Sequence, residues 1–559
     1  MDEKGILFSQ VGYDIDKQKK LFIRGPKNFL SKRARIKIID KNKKVIFNDS
    51  IKFIGDFWKI NWWSINFTKI KKSGIYEVIV FDKGKRIFNE KNLRIGKDIL
   101  FERCVRYVGA ECLKKRVIFA RVKPGWFDAG YLWQEVCSHS MMIVGLTDLM
   151  SYAANKLPVD LKEEVLVQIK GGCKYLEMCN DEAKKQGHGQ GAFIHDLARM
   201  KDCVTPNDSF MGAIAFIKSA EIIKQNDREK AKELFERAIK ILNWIYTKAK
   251  PLTANNHPYN QGFPENAKYP NQWMTRYLML ALWAEIIIYD NGYKERMKNI
   301  KILSEKILKR QIKRENAEFG LWGHFYAYDN CDISEKAWSH GMPPKDKNGK
   351  IKYGSDMGAV FVHPVFAFLE GIKRIKEKEL LGKWEKALND FIFNYFKPVC
   401  EMNPFKILPR GIFGKEGPIW FAGSWHGNNS VFGQAAALAM EFFKYTGENA
   451  FKDIAYSNLQ WICGLNCGLT KKAMEKGCVI FNTDLKDGIA YPVSMIKGVG
   501  DKDAGNWTNI RGSICNGFGT GKQFRYDVPP KAEFDTPEAL HDEDWITHNG
   551  GFLMGLARI

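Results

Sequence analysis

The sequence lacks each of the short signatures that announce a metal, nucleotide or ester site. It has no HExxH pair, no EF-hand loop and no doubled CxxC, so no metal ion is expected. Its 12 cysteines are scattered between Cys104 and Cys515, with Cys463 and Cys467 the nearest in spacing. They read as reduced, mostly buried thiols in a reducing compartment. The glycine-rich stretch from Gly512 to Gly521 lacks the Lys-Ser/Thr ending of a phosphate loop and reads as a cleft wall. No GxSxG elbow is present, which argues against an ester hydrolase, and no cofactor is expected. A run of about 20 apolar residues is missing, so no membrane partner is expected. The first ten residues put acids first and hold no long apolar core; they do not read as a secretory leader, and a cytoplasmic location is expected. Acids are also in short supply, 64 Asp+Glu against 87 Lys+Arg, for a net charge of +23. The excess lysines are spread over solvated stretches such as Lys17 to Lys20, Lys41 to Lys44 and Lys345 to Lys352. Without an RNA-binding signature or a clustered basic helix, no nucleic-acid partner is expected.

What is present is a globular composition, 45% hydrophobic and 27% charged, over 559 residues, enough for one large or two unequal domains. Up to about residue 95 the pattern is β: Leu7-Phe8, Lys20 to Ile23, Arg35 to Ile39, Lys44 to Phe47 and Ile75 to Phe81, separated by turn clusters. Repeated short strands of this kind suggest a small β-sandwich. From about Leu100 the period becomes helical, with segments at 98–115, 136–155, 159–184, 206–225, 227–249, 271–289, 293–312, 357–376, 378–397, 429–446, 449–463 and 549–559. Long loops rich in Gly, Pro, Trp, Tyr and His lie at 121–135, 186–205, 250–270, 318–356 and 400–428. Connections that long are uncommon unless functional. No short repeat period is visible, so a toroid of helical hairpins around a cleft fits better than a solenoid.

Two places concentrate acid chemistry. Asp542-Glu543-Asp544 precedes Asn549 and an apolar helix carrying Phe552, Leu553, Leu556 and Ile559. Such acids either cap a helix N-terminus, favoured by its dipole, or hold a general acid at the mouth of an inward-packing helix. Pro124 to Tyr131 is a glycine-bounded turn presenting Asp128 between Trp126 and Tyr131. It reads either as an Asx-turn satisfying local N–H groups or as an acid flanked by ring faces for a sugar.

Read as motifs, the turn resembles the GGWxDAGD signature of the family 9 glycoside hydrolases, and Glu543 followed after five residues by Asn549-Gly-Gly-Phe552 is similar to their general-acid motif. Ser9 to Tyr13 is similar to the NQVGY of the immunoglobulin-like module that often precedes the family's barrel, and Trp63 to Thr68 to its WxVDFS. Gly464 to Leu469 is similar to GxNPLG. The likeness spans essentially the whole chain in the expected order. It implies a mainly α protein: an Ig-like β-sandwich over 1–97 and an (α/α)6 barrel over 98–559. The implied activity is inverting hydrolysis of a β-linked glucan or related oligosaccharide, with Glu543 as general acid and Asp128 as candidate base. The two carboxyl groups would stand roughly 6.5–9.5 Å apart to admit water. A missing leader favours short or exo-type substrates over insoluble polymer.

Two departures bear on that mechanism. In the family the second aspartate of DAGD is the base; here that position is Tyr131, and a phenol with a pKa near about 10 is a poor base at pH 7. Asp128 alone could activate water, helped by a neighbour such as Glu135. Alternatively, an external anion such as phosphate could attack, or the site could bind glycans without cleaving them. The His-Arg pair that follows GxNPLG in the family is reduced to Arg511. A uronate lyase with a tyrosine or histidine base is a further class, which the motif order does not favour. Expected substrate contacts are Trp126, Tyr131, Trp420, Trp425, His426, Asn428, Arg511 and Asn549. Trp322 to Tyr326 and Trp338 to His340 are similar in kind, whereas His188, His195, His257 and His363 read as structural histidines.

Overall fold

Alternation of period two organises the N-terminal residues. The computed structural model describes residues 3–129, 133–251, 272–326, 329, 365–412, 416–421, 428–476, 484–520 and 532–559. Strands β1 (Gly5–Leu7), β2 (Tyr13–Asp14), β3 (Lys20–Gly25), β4 (Arg35–Ile39), β5 (Val45–Ser50), β6 (Lys52–Phe57), β7 (Ile60–Asn66), β8 (Gly74–Asp82) and β9 (Lys85–Gly96) form two sheets. Their orders are β1-β3-β7-β6 and β2-β9-β8-β4-β5. Ile36 and Ile38 of β4, and Tyr76, Val78 and Val80 of β8, all lie on one face and are buried with Trp63 and Ile65 of β7. The result is a β-sandwich.

Beyond Gly96 the chain is helical. Helix α1 (Ile99–Arg106) passes through a π turn at Tyr107–Glu111 into α2 (Cys112–Phe119). The rest are α3 (Val136–Tyr152), α4 (Val159–Lys185), α5 (Pro206–Ile223), α6 (Arg228–Thr247), α7 (Thr275–Asp290), α8 (Met297–Lys309), α9 (Val365–Arg374), α10 (Lys378–Phe391), α11 (Lys397–Glu401), α12 (Asn429–Thr446), α13 (Ala450–Ile462), α14 (Lys471–Lys476) and α15 (Ile546–Leu556). Burial sorts them into two kinds. Helices α3, α5, α7, α12 and α15 are enclosed on every side over most of their length. Helix α6 instead buries a single stripe of Leu234, Ala238, Ile241 and Ile245, and α4, α8 and α10 behave alike. The first kind forms an inner ring, in which α3 packs on α5, α5 on α7, α7 on α9, and α15 joins α12 to α3. The second kind packs behind it. This is an (α/α)6 barrel preceded by a β-sandwich. Among the described residues no helix is long and apolar enough to cross a membrane.

Ring closure depends on backbone contact at α15. A Cβ on Gly550 would sit 2.5 Å from Met141 O, and one on Gly433 would sit 2.2 Å from the carbonyl carbon of Gly551. Both contacts are rigid main chain, so α15 fits between α3 and α12 only because side chains are missing there. Gly433→Val is expected to destabilise the protein by about 3 kcal/mol or more, read as a shift in denaturant midpoint.

Opposite charges close the ring's far end. Arg558 Nη1 lies 2.6 Å from Asp148 Oδ2 and its Nε 3.0 Å from Glu441 Oε1. Lys218 reaches Asp148 at 2.9 Å, and Lys373 of α9 reaches Glu441 of α12 at 2.8 Å. The sandwich is docked on α13 by the Ser9–Tyr13 turn: Gln10 N–H donates to Cys463 O at 2.8 Å, and Gln460 Nε2 donates to Gly12 O at 2.9 Å.

Among the described residues, four two-stranded antiparallel pairs lie outside the sandwich: β10 (Ile194–Asp196) with β11 (Met200–Val204), β12 (Gly411–Ile412) with β13 (Pro418–Ile419), β14 (Leu469–Thr470) with β15 (Ala490–Tyr491), and β16 (Cys515–Gly519) with β17 (Ala539–Asp544).

Candidate active site

Strand β17 presents its side chains alternately. Asp542 Oδ1 accepts from Trp507 Nε1 at 2.8 Å, and Asp544 Oδ2 meets Arg116 Nη2 at 2.7 Å. His541 and Glu543 turn instead towards Asn516 of β16, where the register shifts between Cys515 and Gly517. A bulge of this kind re-aims a side chain.

The hydrogen bonds around Asn516 fix the state of Glu543. Ser430 N–H donates to His548 Nδ1 at 2.9 Å, so the His548 proton sits on Nε2 and is donated to Asn516 Oδ1 at 2.7 Å. The Asn516 amide is thereby oriented to donate from Nδ2, to Glu543 Oε2 at 3.0 Å and to His541 Nδ1 at 2.9 Å. With Oε2 accepting, the proton of a neutral Glu543 belongs on Oε1. Burial is the main cause that pushes the Glu543 carboxyl up to about 8; the Asn516 bond opposes it, and the negative charges of Glu135, Asp544 and Asp542 add to it. An acid held protonated at neutral pH is what protonation of a leaving group needs.

The Asp128 turn lies against the same strand. Ile546 N–H, at the start of α15, donates to Asp128 O at 3.1 Å. Arg116, itself fully buried, donates from Nη1 to Phe127 O at 2.9 Å and to Asp128 O at 2.8 Å while gripping Asp544. One guanidinium thus clamps the two motif segments together. The Asp128 carboxylate is 0% exposed, with Oδ1 accepting from Ala129 N–H at 2.6 Å and Oδ2 from Glu135 N–H at 2.8 Å. Burial, followed by the charges of Glu135 and Asp196, raises its pKa well above the ordinary carboxylate range.

Glu135 caps α3 and keeps 14% of its side chain exposed. Its Oε2 accepts from Ser138 Oγ at 3.2 Å, and its Oε1 lies 3.7 Å from His195 Nε2. His195, on β10, is held through Nδ1 by Asp208 Oδ2 at 2.7 Å. Burial alone would lower the His195 pKa, but the charge and hydrogen bond of Asp208, with Glu135 behind them, raise it well above its usual value.

Solved structures share this architecture across nearly the whole chain. A metagenome-derived glycoside hydrolase family 9 endoglucanase aligns over 99% of this chain and 98% of its own, at 12% identity and a TM-score of 0.62. A Bacteroides ovatus GH9 protein aligns over 99% and 98%, at 13% identity and a TM-score of 0.63. AaCel9A, solved in complex with cellobiose-like isofagomine, aligns over 99% of each chain at 13% identity and a TM-score of 0.60. The fold is that of the family 9 glycoside hydrolases. No protein-family model matches the sequence, and no curated protein matches it either.

Within this family 9 fold several expected substrate contacts are placed differently. Trp126 is not a sugar-facing ring: it is fully buried, stacked on His139 at 5.1 Å, with Nε1 donating to Gln168. Asn549 is likewise enclosed, its amide bridging Gly512 O, Val108 O and Ile514 N–H. Trp420 is a buried plug, donating to Ile407 O and packed on Trp58 of the β6–β7 turn at 6.2 Å. Asn428 holds that plug, with Nδ2 donating to Trp420 O at 2.7 Å. Arg511 is exposed, lying over the Tyr107 ring at 3.6 Å and donating to Gly498 O. His324 is buried and stacked on Tyr395. Tyr131, Trp425 and His426, with Trp338, His340, His257 and His363, lie outside the described residues. Arg116, Asn516, His541 and His548 were not singled out by sequence. His548 follows the acid by five positions and Asn516 falls in the glycine-rich stretch, but only their pairing between α15 and β16 marks them.

Proposed function

We propose that this chain is an inverting glycoside hydrolase acting on β-linked glucan or related oligosaccharides. The carrying observation is the buried Glu543, hydrogen-bonded by Asn516, its carboxyl pushed up to about 8 mainly by burial and within electrostatic reach of Glu135. Glu543 Oε1 donates its proton to the departing glycosidic oxygen. A carboxylate of the turn removes a proton from water attacking the anomeric carbon from the opposite side. This reading rests on the acid pair and the shared fold. The cellobiose-like ligand of AaCel9A supports β-glucosides as first substrates.

The test is incubation with defined cello-oligosaccharides, following product anomers by NMR. The expected first product is the α-anomer. Turnover requires protonated Glu543, so kcat/KM falls as pH rises through about 8. A β-anomer would refute inversion; binding with no turnover would leave a glycan-binding protein of the same fold.

A further inference from the structure

We propose that Glu135, and not Asp128, is the group that deprotonates the attacking water, with His195 and Asp208 as its positioning residues. The assignment rests on the hydrolase reading above. Asp128 is badly placed for the task. Its carboxylate has no exposed surface, and both oxygens are already committed to main-chain N–H groups at Ala129 and Glu135. A water would have to displace one of those bonds to be reached. The turn instead uses Asp128 to fix Glu135: the bond from Glu135 N–H to Asp128 Oδ2 sets where α3 begins, and with it the direction of the Glu135 side chain.

Glu135 has what Asp128 lacks. It retains exposed surface, its partners at Ser138 and His195 are side chains, and its charge reaches Glu543 across the site. The groups facing it are His195 and Asp196 from β10, Asp208 from α5, Cys137 and Ser138 from α3, Asp128 from its own turn and Glu543 from β17. His195 is the cation among them, and Asp208 sustains its charge. Its imidazole Nε2 lies 3.7 Å from Glu135 Oε1, so a positive group faces the carboxylate in an otherwise acidic neighbourhood. The step balances. Water gives a proton to Glu135 as its oxygen bonds the anomeric carbon. The glycosidic C–O bond breaks with its electron pair on the leaving oxygen, which takes the Glu543 proton. Exchange with solvent then restores both carboxyl groups.

The experiment compares Glu135→Ala, Glu135→Gln, Asp128→Asn and Asp208→Asn on 2,4-dinitrophenyl β-cellobioside, with and without azide. That leaving group needs no acid, so only the nucleophile side is read. Both Glu135 variants should lose on the order of 10²–10⁴-fold in kcat. Azide, which needs no base, should restore Glu135→Ala and yield the α-glycosyl azide. Asp128→Asn should lower thermal stability and gain nothing from azide. Asp208→Asn should move the acidic limb of kcat/KM, because it removes the partner that holds and charges the His195 imidazole facing Glu135. A merely structural role would lower kcat without moving that limb. Near-wild-type rates in Glu135→Gln, or azide rescue of Asp128→Asn but not of Glu135→Ala, would overturn the assignment and leave the hydrolase reading standing. A wild type that cleaves neither this glycoside nor cello-oligosaccharides would overturn both.

Discussion

Glu543→Gln should lower turnover of cello-oligosaccharides by ~10²–10⁴-fold while leaving their affinity almost unchanged. The amide fills the same space and its oxygen still accepts from Asn516 Nδ2, so the cleft is preserved and only the transferable proton is lost. On 2,4-dinitrophenyl β-cellobioside, whose leaving group departs unaided, the loss should nearly vanish. Steady-state kinetics on the two substrates check this, and an equal loss on both would reject Glu543 as the acid. The substitution also has a thermodynamic signature. The native carboxyl holds its proton up to about 8, whereas the unfolded one, with a reference value of 4.5, has already released it. Wild-type stability therefore falls as pH rises through that window, and the variant's does not. The variant should be the more stable protein at pH 7.

Arg558→Met should cost about 3 kcal/mol at neutral pH, because it takes from two buried carboxylates the guanidinium they share and leaves each with lysine alone. Burial works to raise Asp148 and Glu441, yet the cations outweigh it: Asp148 is lowered below 3.8 and Glu441 is brought down to about 2. Groups with depressed native pKa values stabilise fully above their unfolded values and lose that contribution as pH falls through the folded ones. The gap between wild type and variant should thus be widest above pH about 4.5 and close towards pH about 2. Denaturant titrations at several pH values measure it, and a gap independent of pH would assign the loss to packing instead.

The fold was legible because its periods are local. Residues 206–225 and 429–446 read as helices from spacing, and the structure places α5 at Pro206–Ile223 and α12 at Asn429–Thr446. The strands from Lys52 to Asn66 were read only at the Trp63–Thr68 motif; β6 is largely exposed and carries little apolar alternation. The acids at 128 and 543 were legible as motifs. Their surroundings were not, since enclosure of Asp128 depends on Arg116 and on α15, far away in sequence. Trp126 shows the same limit. A ring beside an acid looks like a sugar platform until His139 and Gly172 close over it. His195 was read as a satisfied core histidine, and it is buried; that its second nitrogen faces Glu135 is a tertiary fact no spacing records.

The last inner helix has a consequence for how the protein is made. Residues 546–556 emerge from the ribosome after the other staves of the barrel, and until then α3 and α12 face an empty slot. Strand β17, which carries Glu543, sits immediately upstream of that keystone and leans on it through His548. A nascent chain stalled before α15 would hold the preceding helices, yet leave β17 unsupported and expose an apolar seam to chaperones.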